Sequence, residues 1–275
     1  MSADYASTLR RAALWPRVLT ALVGIPLIVG AAWLGGVWWV GLVGIVMAIG
    51  ATEFGRLHSW MTTPARAVMI LGTVAVVLIA AWLPDPPPAW SVMLALAVLV
   101  VGMWANLTRN ERTAAWRSWV AVVTGVVYLG LPGGALVRWR MDAAVAALVW
   151  FFLLIWANDI ASYFVGLAIG RHKLAPQISP GKSWEGAVAG VVAAAAVGLA
   201  AAAVLGFTPL VGIVFGVVSS IASQAADLLE SALKRRAGVK DSGTLLPGHG
   251  GVLDRFDGVL IAAPVAYLLL RVWAR

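Results

Sequence analysis

The chain has no cysteine, and only 12 of its 275 residues are Asp or Glu. The first absence excludes disulfides, thiolate metal sites and cysteine nucleophiles, and leaves the redox compartment open. The second is part of a wider shortage of charge: charged residues make up 12% of the chain against 61% hydrophobic ones. With a mean hydropathy of +0.91, the chain has more apolar surface than a soluble domain of this length can bury, so a bilayer must be part of its environment. The net charge of +8 does not point to nucleic acid, because the basic residues sit in short clusters between apolar runs, as in cytoplasmic loops.

Nine apolar runs approach spanning length, at about residues 18–34, 37–52, 67–83, 91–106, 119–137, 143–166, 186–206, 210–230 and 258–273. The first, preceded by Arg10, Arg11 and Arg17, resembles a signal peptide; eight further runs and no A-x-A site favour its retention. With the N-terminus inside, sixteen of the 20 Lys and Arg fall in cytoplasmic segments, against Arg138, Arg140, Arg271 and Arg275 outside. The outward connections, among them the Pro84 to Pro88 stretch, read as plain turns. The expected fold is all-α, a polytopic membrane bundle of about nine transmembrane helices with the N-terminus cytoplasmic and the C-terminus outside. Residues 1–142 would form an N-terminal region of about five spans. Residues 143–275 would form a catalytic region with cytoplasmic loops 167–185 and 231–257.

The scarce acids are not spread evenly. Asp159 lies inside the sixth run, and Asp227 and Glu230 lie in the last turns of the eighth. Carboxylates at membrane depth are costly and normally face a cavity or a partner. Glu230, nearest the loop, fits equally well an interfacial position in which it snorkels or pairs with a basic residue. Ser220, Ser223, Gln224, Asp227, Ser231 and Lys234 step by three or four residues and form one polar stripe. Such stripes also glue helices together, but one ending in a carboxylate and a lysine fits a solvated site better. Asp159, Ser162, Tyr163 and Gly166 share a face in the same way.

Both stripes lead into cytoplasmic loops. The first, GRHKLAPQISPGKSWEG, is not a P-loop, because that motif needs glycine where this chain has Pro176. It does bring Ser179, Lys182 and Ser183 to a helix N-terminus, a favourable place for phosphate. The second is SALKRRAGVKDSGTLLPGHGGVLDRFDG, Ser231 to Gly258. Connections this long without obvious secondary structure are usually functional or disordered. Lys234, Arg235, Arg236 and Lys240 are phosphate ligands by type. Asp254 and Asp257, three residues apart, would face the same way at the mouth of the last helix. Carboxylates joined by substrate phosphates are the usual magnesium environment. Cationic loops and clustered acids at the rim of an apolar bundle suit phosphoryl or nucleotidyl transfer onto a lipid head group.

The second loop, from Ser231 through Asp257, also resembles the signature of phosphatidate cytidylyltransferases, the CDP-diacylglycerol synthases. The stretch NDIASYFVGLAIGRHKLAPQISPGKSWEG resembles a second conserved region of that family, so the likeness covers roughly residues 150–260. The N-terminal half matches only as a hydrophobic pattern. Gly181 stands where the family often has a second basic residue, which leaves that phosphate contact to Lys182. The resemblance implies CTP plus phosphatidic acid giving CDP-diacylglycerol and pyrophosphate, at an inner (plasma) membrane, with the site facing the cytoplasm. It implies Mg2+, with a second cation and a homodimer left open. Asp227 and Asp254 are the leading metal ligands, supported by Asp257, Asp159 and Glu230. Ser179, Lys182, Ser183, Lys234, Arg235, Lys240 and Arg255 are the phosphate-binding candidates.

Two candidate catalytic residues keep alternatives. Asp241 orients either Lys240 or a cytidine group. His249, set between glycines, suits a general acid toward departing pyrophosphate, since imidazole titrates near neutrality; a loop-fixing hydrogen bond or a direct phosphate contact suits it as well. His58 and His172 read as ordinary loop residues. Two other classes compete: a CTP-dependent lipid kinase, whose alcohol nucleophile would need a base, and an ion-coupled transporter. The absence of internal repeats and the clustering of acids at one end weigh against the transporter.

Overall fold

The computed structural model describes residues 22–83, 114–246 and 250–273. These residues form a helical bundle: α1 (22–34), α2 (Gly36–Leu57), α3 (Thr63–Trp82), α4 (Ala114–Asp142), α5 (Val145–Ile169), α6 (Trp184–Leu205), α7 (Pro209–Arg236) and α8 (Leu253–Trp273). Seven of them, α2 to α8, are long and apolar enough to cross a membrane, and each overlaps one of the nine apolar runs. The first run is represented by the shorter α1; the run at 91–106 and the Pro84 to Pro88 turn lie outside the described residues. Large apolar side chains such as Val37, Trp82, Leu167 and Leu210 point outward, as lipid-facing residues do. The chain is a multi-pass membrane protein.

Local sequence sets several helix ends. Thr62 and Thr208 accept the backbone N–H of Ala65 and Val211 at 3.4 Å, each with proline in the first turn. Gly206 ends α6 in the left-handed region, at φ +71°. Pro132 and Pro264 sit inside α4 and α8, as membrane helices tolerate when neighbours re-satisfy the freed backbone groups.

The helices pack in two groups, α2–α3–α4 and α5–α6–α7–α8, joined where α4 and α2 meet α8. Small residues allow close approach in the second group. A side chain at Gly198 of α6 would collide with Gly212 O and sit 3.1 Å from Gly216 Cα of α7. Trp139 of α4 packs against Phe151, Phe215 and Tyr267 at one end of this group and forms an aromatic core across the two groups.

The structure refines three expectations. The 167–185 loop contains an antiparallel hairpin, β1 (Lys173–Ala175) and β2 (Ser179–Ser183), pairing Lys173 with Ser183 and Ala175 with Ser179. Pro176, Pro180 and Gly181 prevent helix here, and the backbone finds partners across the short ribbon instead. The second loop is shorter than 231–257: α7 continues to Arg236 and α8 begins at Leu253. Basic residues in the last turn of α7 and Asp254 in the first turn of α8 both complement the helix dipoles. Finally, His58 is buried at the end of α2, its Nδ1 3.0 Å from Phe54 O, and is not an ordinary loop residue.

Candidate active site

The helix ends opposite the aromatic core enclose a pocket of about 620 Å³, within the range of small-ligand sites. It lies between α5, the hairpin, α6 and α7. Its lining includes Asp159 and Asn158 from α5, Ser179, Lys182 and Ser183 from β2, and Asp227 from α7. The α5 stripe therefore faces the same space as Ser223, Gln224 and Asp227 of the α7 stripe, whereas Lys234 of that stripe turns away into a buried cluster.

Its central feature is an ion pair between Lys182 Nζ and Asp227 Oδ2, with both side chains partly open to solvent. Ser231 Oγ approaches Asp227 Oδ1 at 3.4 Å from the next turn of α7. Asp159 is exposed to the pocket and accepts from Asn158 Nδ2 at 2.9 Å. Asn158 is buried; its Oδ1 accepts from Ser220 Oγ at 2.6 Å and Gln224 Nε2 at 2.9 Å, which ties α5 to α7 behind the acids. Ser183 is committed to the fold as well, since its Oγ accepts the Gly186 N–H at 3.2 Å and caps α6.

A second cluster is buried beside the first. Lys234 Nζ lies 2.6 Å from Asp254 Oδ1 and 3.0 Å from Glu230 Oε1. Asp254 Oδ2 accepts the backbone N–H of Ser242 and of Gly251, each at 2.8 Å, and the Ser242 hydroxyl at 2.9 Å. Removing one member of such a network would strand a buried charge. Glu230 is fully buried and paired with Lys234, so of its two alternatives the structure bears out pairing with a base and not snorkelling. Asp257, one turn after Asp254 on α8, interacts electrostatically with members of both clusters, Asp227, Asp159 and Lys234.

The remaining candidates are more open. Arg235 donates from Nε to Ile178 O at 3.2 Å, joining α7 to the hairpin, and from Nη1 to Val239 O at 3.1 Å. Lys240, Asp241 and Arg255 are exposed, and Arg255 acts electrostatically on Asp159. His249 lies outside the described residues. His172, on the hairpin, pairs through Nδ1 with Glu185 Oε1 at 2.7 Å.

Sequence reasoning passed over Asn158 and Glu53. Asn158 carried a signal, an amide beside Asp159 in an apolar run. Glu53 carried one too, a lone acid at the end of the second run, a costly position at membrane depth. It accepts the Val252 and Leu253 N–H groups at 3.0 and 2.7 Å.

Among the described residues no three carboxylate or histidine groups form a ready-made metal cage. Magnesium usually takes one or two carboxylates plus substrate phosphates, and the open carboxylates of Asp227 and Asp159 fit that donor set. Asp254, with both oxygens already bonded within the protein, offers it less.

Comparison with known proteins agrees with this chemistry. A family model described as "Cytidylyltransferase family" matches residues 15–273. The chain is 37% identical over 279 residues to a phosphatidate cytidylyltransferase of Pseudomonas aeruginosa, covering 94% of this chain and 96% of the relative. It is 45% identical over 161 residues to a phosphatidate cytidylyltransferase of Brucella suis, covering 58% of this chain and 59% of the relative. The match thus spans little more than half the length of that Brucella protein, and a Haemophilus influenzae phosphatidate cytidylyltransferase matches over 43% of its length at 44% identity. With nearly its whole length under the family model and along the Pseudomonas protein, the chain belongs to the cytidylyltransferase family.

Proposed function

We propose that the chain transfers the cytidylyl group of CTP to phosphatidic acid, giving CDP-diacylglycerol and pyrophosphate. The observation that carries this reading is the pocket in which Lys182 meets Asp227, beside Asp159 and the hairpin. A cation and two acids at the rim of a membrane bundle suit a reaction between a nucleoside triphosphate and a lipid phosphate. Membership of the family, and the likeness to the Pseudomonas phosphatidate cytidylyltransferase, support the same reaction.

In this reading an oxygen of the phosphatidate monoester forms a bond to the α-phosphorus of CTP. The bond from that phosphorus to the bridging oxygen of the β-phosphate breaks, and pyrophosphate leaves with the electron pair. The nucleophile is already anionic near neutral pH, so no strong base is required, and catalysis rests on positioning and charge neutralisation. Lys182 and Arg255 attract the triphosphate, with Ser179 on the hairpin beside it. Arg235 and Lys240 extend the basic rim, with Asp241 orienting Lys240. Asp227 and Asp159, joined by Asp257, would hold Mg2+, which when bound would neutralise phosphate charge. Lys234 and Asp254 support the α7–α8 connection from within.

We further propose nine spans, with the N-terminus and the pocket on the cytoplasmic side of the inner membrane and the C-terminus outside. Residues 143–275 are proposed as the catalytic region and 1–142 as its transmembrane support. The positive-inside count supports this orientation.

Purified protein in detergent, given labelled CTP and phosphatidate, should form CDP-diacylglycerol and pyrophosphate only with added Mg2+. Release of CDP with a phosphorylated lipid alcohol would instead identify a CTP-dependent kinase and overturn the proposal. Metal-independent turnover would overturn the magnesium assignment alone. Light scattering of the same sample tests for a homodimer.

A further inference from the structure

Glu53 belongs to α2, in the half of the chain that carries none of the chemistry read from sequence, yet it is only 2% exposed and reaches across the bundle. Its Oε1 accepts the Val252 N–H at 3.0 Å, its Oε2 accepts the Leu253 N–H at 2.7 Å, and Ser242 Oγ lies 3.2 Å from Oε2. Val252 and Leu253 stand at the start of α8, where backbone N–H groups have no partner within the helix and the dipole favours a negative charge. A residue 200 positions away in sequence thus supplies the cap that local sequence does not.

The α7–α8 connection is shaped to this carboxylate. A Cβ at Gly243 would lie 2.6 Å from Glu53 Oε1, and one at Gly251 would lie 2.5 Å from Oε2. Glycine at both positions is what lets the backbone close around the acid. Ser242 links Glu53 to Asp254, because its Oγ also lies 2.9 Å from Asp254 Oδ2 while its N–H donates to the same oxygen. Glu53 and Asp254 therefore grip the connection from two sides, and Asp257 follows Asp254 by one helical turn.

We propose that Glu53 is a positioning residue for cytidylyl transfer: capping α8 from α2, it fixes the first turn of α8 and so seats Asp257 near Asp227. This rests on the reaction proposed above. It also gives the N-terminal helices a defined part in the site, as the frame against which α8 is registered.

The test uses full-length protein in detergent carrying Glu53→Gln or Glu53→Asp. Glutamine keeps the volume but turns an amide donor toward one of the two backbone N–H groups. The expected result is a roughly tenfold fall in kcat with KM for CTP within about twofold. Hydrogen exchange of amides 242–246 and 250–253 should accelerate by roughly tenfold while that of α6 stays unchanged. Glu53→Asp, which keeps the charge but withdraws it, should recover part of both effects. Unchanged exchange in Glu53→Gln, or faster exchange with unaltered kcat, would overturn the proposal, as would a rise in KM alone. If Glu53→Gln does not fold, Ser242→Ala carries the same measurements, with a roughly threefold effect expected on each and no effect on either overturning the proposal. The exchange arm needs no turnover. A wild-type chain that forms no CDP-diacylglycerol therefore overturns the reaction, whereas an unaltered exchange pattern in the variants overturns the clamp.

Discussion

At one end of the bundle Arg138 donates to Asp142 at 2.7 Å and to Leu83 O at 2.9 Å, and Tyr267 OH donates to the other oxygen of Asp142. At the other end Lys182 meets Asp227 in a pocket of about 620 Å³. Each pair joins a base to an acid, but their surroundings differ. Asp142, its side chain 25% exposed, has both oxygens taken by protein groups, one of them Tyr267 of the aromatic core, and Arg138 is buried. Asp227 and Lys182 remain partly open, facing Asp159 and the hairpin. The closed pair holds helices together; the open pair leaves its charge facing the pocket.

The largest expected effect comes from breaking the open pair. We predict that Asp227→Asn lowers kcat/KM for CTP by about a thousandfold while the protein elutes and melts like wild type; an active variant would remove Asp227 from the site. Lys182→Met should follow at about a hundredfold, most of it regained with Lys182→Arg, as steady-state kinetics in detergent would reveal. At the closed end the pattern should invert. Arg138→Leu should cost about 1 kcal/mol of stability by removing its hydrogen bonds to Asp142 and Leu83 O, read as a lower thermal midpoint, with kcat within about twofold at a temperature where the variant is folded.

The smallest effects sharpen the same contrast through two matched helix caps. Thr208→Ala and Ser183→Ala each remove a hydroxyl that accepts a first-turn N–H, worth about 1 kcal/mol by thermal denaturation. Only Ser183→Ala, at the pocket, should also raise KM for CTP. Equal kinetics in the two variants would restrict Ser183 to its capping role.

Much of this was legible in sequence because the bilayer imposes simple rules. Long apolar runs must be helical in lipid, so seven of the nine runs reappear as long helices. The polar stripe through Ser220, Gln224 and Asp227 has helical spacing, and those residues do face the other stripe. The hairpin was harder to see, because three-residue and five-residue strands carry little periodicity. The roles of Asp227 and Asp254 could not be separated either: both are acids beside the basic second loop, and only their partners distinguish an open carboxylate from one already bonded four ways.

Sequence by itself determined the solvent, the helical architecture and the concentration of acids and bases in the C-terminal half, because each follows from residue type and spacing along one chain. Tertiary structure alone decided which charges face the pocket and which neutralise one another inside the protein. It also decided that Glu53 caps a helix beginning 200 residues later. Such pairings depend on which helices are neighbours and how they are rotated, and a buried carboxylate takes whatever donors that packing brings within about 3 Å.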